Sequence, residues 1–177
     1  TLRRQRQMCI RDSISIRNDL SKDVDIMVVP ELYVTGYPID DLVLRNDFLE
    51  LVENEISDLA KLTNDGKAAI ILGSPRKDED KIRNSVFVLD QGKILSFRDK
   101  HNLPNTGVFD EQRIFTPGSL SGPVKIRETL IGLPICEDIW NETVIDCLSE
   151  TGAEIIISIN ASPVSYTHLT LPTKCWV

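Results

Sequence analysis

Glu31, Lys100 and Cys136 each stand at the end of an apolar run. Glu31 follows Ile26-Met27-Val28-Val29-Pro30, Lys100 follows Ser96-Phe97-Arg98-Asp99, and Cys136 follows Leu133-Pro134-Ile135. As residue types they are complementary: a thiolate is a strong nucleophile, a carboxylate takes and returns protons, and an ammonium stabilises charge developing on oxygen. Singly, each has an ordinary explanation. A cysteine closing an apolar run is most often a small core residue, and a lone Glu or Lys is most often a solvated charge. The ends of strands are, however, where α/β folds gather their active sites.

The elements that must position these residues are apolar, β-branched runs separated by turn signals: Val24–Pro30, Ala68–Gly73, Ser85–Leu89, Ile94–Arg98, Leu130–Ile135 and Glu154–Asn160. Asp90-Gln91-Gly92-Lys93 reads as a hairpin turn, so the third and fourth runs are antiparallel neighbours and the sheet is mixed. Asn46 or Asp47 can cap a helix with Phe48, Leu51, Val52, Ile56, Leu59 and Leu62 on one stripe, ending near Asp65-Gly66. A second helix is expected over Glu142–Glu150, stopped by Thr151-Gly152. Strands alternating with amphipathic helices give an α/β layered domain.

The two ends of the chain read differently. Codons for Thr1 to Asp12, read on the complementary strand, can spell Val164 to Cys175, which implies one DNA element in inverted orientation at both ends. Residues 1–12 and 164–177 are therefore expected to be non-native, adapter-derived sequence, with 13–163 a partial domain incomplete at both ends. Carrying no selected hydrophobic pattern, the ends are expected to lie extended or weakly packed, with Leu169 and Trp176 outside the core. They hold five of the 20 basic residues and one of the 27 acidic ones, so the interior is more acidic than the overall charge of −7. An acidic surface without a basic stripe argues against nucleic acid or an anionic membrane as partner. No apolar run is long enough to span a bilayer, and a cytoplasmic location is expected. Setting aside the ends, with Cys9, Cys175 and His168, leaves Cys136, Cys147 and one histidine, His101, which provides neither a disulfide framework nor a zinc site, so no metal is expected.

Four blocks carry a resemblance. Pro30-Glu31-Leu32 with Thr35-Gly36-Tyr37-Pro38-Ile39-Asp40-Asp41-Leu42 resembles the glutamate segment of nitrilase-superfamily glutaminase domains. Lys100-His101-Asn102-Leu103-Pro104-Asn105 with Gly107-Val108-Phe109-Asp110-Glu111 resembles their lysine segment. Ile135-Cys136-Glu137-Asp138-Ile139-Trp140 resembles their cysteine segment, and Asn160-Ala161-Ser162-Pro163 the strand end that follows. Tyr37-Pro38, Val108-Phe109-Asp110-Glu111 and Cys136-Glu137-Asp138-Ile139-Trp140 are most similar to the carbon-nitrogen hydrolase domains of glutamine-dependent NAD+ synthetases.

The resemblance implies an α-β-β-α sandwich and hydrolysis of glutamine to release ammonia. Cys136 would be the nucleophile, Glu31 the general base, and Lys100 with the backbone N–H of Glu137 the oxyanion site. Tyr37 and Phe109 would line the glutamine pocket, although ordinary core packing explains such aromatics equally well. It implies a synthetase domain as partner and a homo-oligomer when intact. ATP and magnesium would belong to that other domain, and no Gly-rich phosphate loop occurs in this chain, so no cofactor is expected here. Thr106 stands where the family usually has tyrosine, which bears on substrate affinity and leaves the triad untouched. The alternatives are another amidase, nitrilase or carbamoylase of the superfamily, a Cys136–His101 hydrolase of papain-like logic, and a non-catalytic domain. The glutaminase reading requires Glu31, Lys100 and Cys136 to converge within roughly 3–6 Å, with Tyr37 and Phe109 nearby and His101 turned away.

Overall fold

A computed structural model describes residues 2–19, 23–105 and 110–161, and of residues 2–9 and 11 the backbone alone. In chain order the elements are α1 (Leu2–Asp19), β1 (Ile26–Val28), α2 (Asn46–Leu62), β2 (Ala69–Asp78), β3 (Lys81–Asp90), β4 (Lys93–Asp99), β5 (Val124–Ile126), β6 (Thr129–Gly132), α3 (Glu142–Glu150) and β7 (Ile155–Ile156). They form two sheets. The first has the order β1-β2-β3-β4, with β1 parallel to β2 and the other pairs antiparallel. The second has the order β5-β6-β7, and its parallel β6/β7 pairing is prolonged by a bridge between Ile135 and Ile159.

The period of two along β2 and β3 builds the layers, because successive side chains leave a strand on opposite faces. Ile70, Leu72, Phe87 and Leu89 meet Val52, Ile56, Leu59 and Ala60 of α2, with Ile10 and Ile14 of α1. Ala69, Ile71, Val86 and Val88, on the other face, meet Val124, Ile126, Ile131, Leu133 and Ile135 of the second sheet. The outer side of that sheet is covered by α3, whose Leu148 lies so near Gly132 that a Cβ there would come within 3.1 Å of it. The architecture is thus the nitrilase-like α-β-β-α sandwich. No helix among the described residues is long and apolar enough to cross a membrane.

Several boundaries differ from the sequence expectation. β2 and β3 run ten residues each, because their polar outer halves pair with one another and Arg83 of β3 holds Asp78 of β2 across the hairpin. β5, a three-residue strand, offered too short an alternation to be read. On α2 the buried stripe is Leu49, Val52, Ile56, Leu59 and Ala60, whereas Leu51 and Leu62 are exposed. Positions 51 and 62 fall outside the 3.6-residue repeat that runs through 49, 52, 56 and 59. Neither Asn46 nor Asp47 caps this helix: Arg45 occupies the cap position, Asp47 is paired with its guanidinium, and Asn46 Oδ1 accepts from Lys77. Helix α3 has the expected bounds and is capped by the Asn141 side chain. The hairpin turn places both Gln91 and Gly92 at positive φ, as a two-residue turn between twisted strands requires.

The amino-terminal end corrects another expectation. Instead of lying extended, residues 2–12 continue α1, and Ile10 is buried in the core. Ile10, Ile14 and Arg17 recur at helical spacing on one face, and the buried Arg17 bonds to the Ala68 carbonyl and the Asp65 carboxylate. Leu169 and Trp176 lie outside the described residues.

The layer assignment is tested by a pair of substitutions. Ile71→Ala, fully buried between the sheets, is expected to cost about 2–5 kcal/mol in urea unfolding, and Leu51→Ala less than about 0.5 kcal/mol.

Candidate active site

Glu31 is delivered by the turn that ends β1. Val29 N–H bonds to Ile71 O and Gly73 N–H to Pro30 O, so the chain leaves the sheet directly over β2. A Cβ on Gly73 would come within 2.5 Å of Leu32 N and 2.6 Å of Glu31 Cα, so only glycine permits this approach. Lys100 directly follows β4. Its N–H bonds to Asn84 O on β3, and its own carbonyl accepts from Gly118 N–H. Cys136 opens the 3₁₀ turn Cys136–Trp140 at positive φ (47°), with its N–H bonded to Ile159 O. A side chain held in this left-handed region costs free energy, and such conformations cluster at functional sites.

Asp138 fastens the last two segments together. Its buried carboxylate accepts from the backbone N–H groups of Ile135, His101 and Asn102 and from Asn102 Nδ2. The lysine segment and the cysteine turn are thereby joined through one side chain. Burial pushes the Asp138 carboxyl upward, and these donors pull it back.

At the centre, Lys100 Nζ lies 2.7 Å from Glu31 Oε1 and 2.9 Å from Glu111 Oε1. All three side chains are buried. Asn84 Nδ2 donates to Glu31 Oε1 at 2.8 Å and reaches Glu111 Oε2 at 3.4 Å, while Tyr37 OH donates to Glu111 Oε1 at 3.2 Å. Burial alone would lower the pKa of Lys100, but the two carboxylates outweigh it and hold the amine protonated. Burial raises Glu111, offset in part by Lys100. Burial, then the charges of Glu111 and Glu31, raise the Tyr37 hydroxyl, so it serves as a donor.

The Cys136 thiol completes the group. Burial and then the Glu31 charge push it up to about 12, hydrogen bonding to Glu31 acts in the same direction, and Lys100 pulls it down. It is thus a neutral thiol at rest, next to a base. Glu31, Lys100 and Cys136 are brought together, with Tyr37 beside them. His101 is directed elsewhere, its Nδ1 lying 2.7 Å from Gly118 O, and it is not among the groups acting on the thiol. The Glu137 side chain is exposed and its backbone lies in the turn that starts at the thiol. Phe109 and Thr106 lie outside the described residues. An open cleft of about 750 Å³ passes Glu137, Trp140, Asn141 and Asn102. Among the described residues no group of three His, Cys, Asp or Glu side chains is arranged to hold a metal.

A half-buried cysteine beside a carboxylate and an ammonium can form a covalent bond to an electrophilic carbon and move the protons this requires. Residues 13–173 match the family described as carbon-nitrogen hydrolase. The chain belongs to that family. This carbon-nitrogen hydrolase is 39% identical over 141 residues to the glutamine-dependent NAD(+) synthetase of Thermotoga maritima, covering 78% of the chain and 24% of that protein. It is 37% identical over 139 residues to that of Rhodobacter capsulatus, covering 78% of the chain and 25% of that protein. Among solved structures, the glutamine-dependent NAD+ synthetase of Acinetobacter baumannii in complex with ADP superposes with a TM-score of 0.80 at 30% identity, over 96% of this chain and 32% of that one. The hydrolase chain thus spans about a quarter of the length of the curated relatives it matches.

Three side chains of this site were not assigned from sequence. Glu111 sits within the lysine-segment block, but an acid in a loop reads as solvated until the fold buries it. Asn84 lies at the polar end of a strand, and Asp138 follows the cysteine among other acids. The Asn84 Oδ1 atom is buried without a hydrogen-bond partner, which ordinarily costs roughly 1–3 kcal/mol.

Two measurements check the electrostatics. Iodoacetamide alkylation of Cys136, followed by peptide mapping against pH, should have its midpoint well above the ordinary thiol value of 9.0 and towards about 12. A midpoint at or below 9.0 would contradict the raised, neutral thiol. Lys100→Met should cost about 3–5 kcal/mol in urea unfolding, because it leaves two carboxylates facing each other without the cation.

Proposed function

We propose that this chain is the glutamine-hydrolysing part of a glutamine-dependent NAD+ synthetase, releasing ammonia for a synthetase domain. The observation that carries the reading is the Lys100 ammonium, fixed between Glu31 and Glu111 beside a half-buried Cys136 thiol. The similarity to synthetases whose names specify glutamine supports the substrate.

In the first half-reaction Cys136 Sγ attacks the side-chain amide carbon of glutamine while Glu31 takes the thiol proton. The electron pair of the carbonyl moves to oxygen, where the Lys100 ammonium and the backbone N–H of Glu137 stabilise it. When that pair returns, the C–N bond breaks and Glu31 gives its proton to the departing nitrogen, so ammonia leaves and a thioester remains. Glu31 then takes a proton from water as the water attacks the thioester. The C–S bond breaks, the thiol regains its proton, and glutamate is released. A raised thiol pKa suits this scheme, because the thiolate need exist only during attack, with the base in contact. Glu111 touches no reacting atom in it; together with Tyr37 and Asn84 it keeps Lys100 charged and in place.

Tyr37 and Phe109 line the glutamine pocket in this reading, while ATP and magnesium act at the other domain and no metal serves this one. The intact enzyme is cytoplasmic and assembles as a homo-oligomer. Residues 1–12 and 164–177 remain the proposed adapter-derived ends, with 13–163 the enzyme's own sequence.

The test is ammonia release from glutamine compared with simple aliphatic amides and nitriles. Glutamine should be strongly preferred; equal or better turnover of the others points to a different amidase of the family. Cys136→Ala and Glu31→Gln should each lose at least about 10³-fold in kcat, because nucleophile and base act as one unit. Cys147→Ala should retain activity, and a dead Cys147→Ala beside a working Cys136→Ala would overturn the assignment.

A further inference from the structure

Asn84 occupies an unusual position. It is buried on β3 in the midst of the charged cluster, both its contacts to that cluster run through Nδ2, and its Oδ1 finds no partner. The amide cannot be turned round to remedy this, since Oδ1 would then face the oxygens of two carboxylates. A buried acceptor left unpartnered is a standing cost to the fold, and costs of this kind concentrate where function demands them. What the orientation achieves is visible at Glu31. Both side-chain donors, Lys100 Nζ and Asn84 Nδ2, fall on the same oxygen, Oε1.

We propose that Asn84 is a positioning residue that, with Lys100, occupies Oε1 of Glu31 and so reserves Oε2 as the oxygen that exchanges a proton with Cys136. Lys100 alone cannot fix this choice. Its ammonium is shared with Glu111 and presents donors that rotate about the Cε–Nζ bond, so it binds a carboxylate as a point charge. The planar amide, anchored on a strand whose backbone also receives the Lys100 N–H, adds the second point that stops the carboxylate from rotating. Lys100 and Asn84 bond directly to Glu31, and Glu111, Tyr37 and Cys136 are the other titratable groups that interact electrostatically within the cluster. In the hydrolytic cycle the consequence is that one oxygen performs all the proton transfers. This part rests on the glutaminase reading, whereas the aiming of the carboxylate does not.

The experiment is a double-substitution cycle on the full chain, reading the pH midpoint of Cys136 alkylation by iodoacetamide. Because the Glu31 charge adds to burial in holding the thiol neutral, Glu31→Gln should lower the midpoint by about one unit or more. Asn84→Ala should lower it by a smaller amount, since a carboxylate free to rotate acts less on the thiol. In the double variant the Asn84 substitution should add nothing. If Asn84→Ala leaves the midpoint unchanged, or lowers it equally with and without Glu31, the positioning role is overturned; the second outcome is what general loosening of the pocket would give. Should Asn84→Ala fail to fold, Asn84→Ser carries the same cycle, because its single hydroxyl can serve one carboxylate only. A second arm measures ammonia release from glutamine, where Asn84→Ala should lose at least about tenfold in kcat and Asn84→Ser should recover part of it. Equal or better turnover of simple amides than of glutamine, together with a non-additive alkylation cycle, would reject the glutaminase reading and leave the positioning of Glu31 standing.

Discussion

The Lys100 ammonium enclosed by Glu31 and Glu111 is the constraint around which the other features of this molecule are arranged. Taking three charges out of water costs several kcal/mol per ion, and their mutual attraction offsets this only when the geometry is close and the remaining hydrogen-bonding capacity is used. The distances of 2.7 and 2.9 Å, the Asn84 amide and the Tyr37 hydroxyl supply that geometry. Since Glu31 lies in the turn after β1, Asn84 is on β3, Lys100 follows β4 and Glu111 opens a short 3₁₀ turn, the cluster also joins four parts of the chain. It ties the register of the first sheet to the placement of the reactive groups.

The backbone around the cluster is built to the same tolerance. Gly73 lets the Glu31 turn rest on β2, and Gly118 packs against the backbone of Asp99 just ahead of Lys100, where a Cβ would stand 2.8 Å from the Asp99 carbonyl. Asp138 then binds the lysine segment to the cysteine turn, which belongs to the second sheet. The two sheets are therefore held together at this edge by polar contacts and elsewhere by the apolar layer of Ile71, Val86, Val88, Ile131 and Ile135. A site made from both sheets is only as well placed as that layer, so packing remote from the thiol contributes to the chemistry.

The electrostatic character of the site follows from burial more than from any single pair. The same low-dielectric surroundings that raise Cys136, Glu111 and Tyr37 also strengthen the hold of the carboxylates on Lys100. The result is a protonated thiol, a protonated phenol and a protonated amine around carboxylates able to accept.

The sequence by itself determined a good deal. The hairpin at Gln91-Gly92, the bounds of α3, the alternation that makes β2 and β3 two-faced strands, and the family all follow from local patterns and short motifs. Glu31, Lys100 and Cys136, which the fold gathers in one place, could be singled out as well, because each closes an apolar run. What the sequence left open depends on contacts between distant segments. Which leucines of α2 are buried was decided by the surface offered to the helix, so Leu49 went in beside Leu32, Ile39 and Val43 and Leu51 stayed out. The continuation of α1 through Ile10 was decided by a groove that could receive that side chain, whatever the origin of the residues before Ser13. Glu111, Asn84 and Asp138 look like ordinary polar residues along the chain, and only the tertiary structure gives them their roles. The physical reason is the same in each case: a polar group's role is set by how completely it is removed from water and by which partners then satisfy it. Neither is fixed until residues separated by 53, 27 or 37 positions in sequence have been brought together.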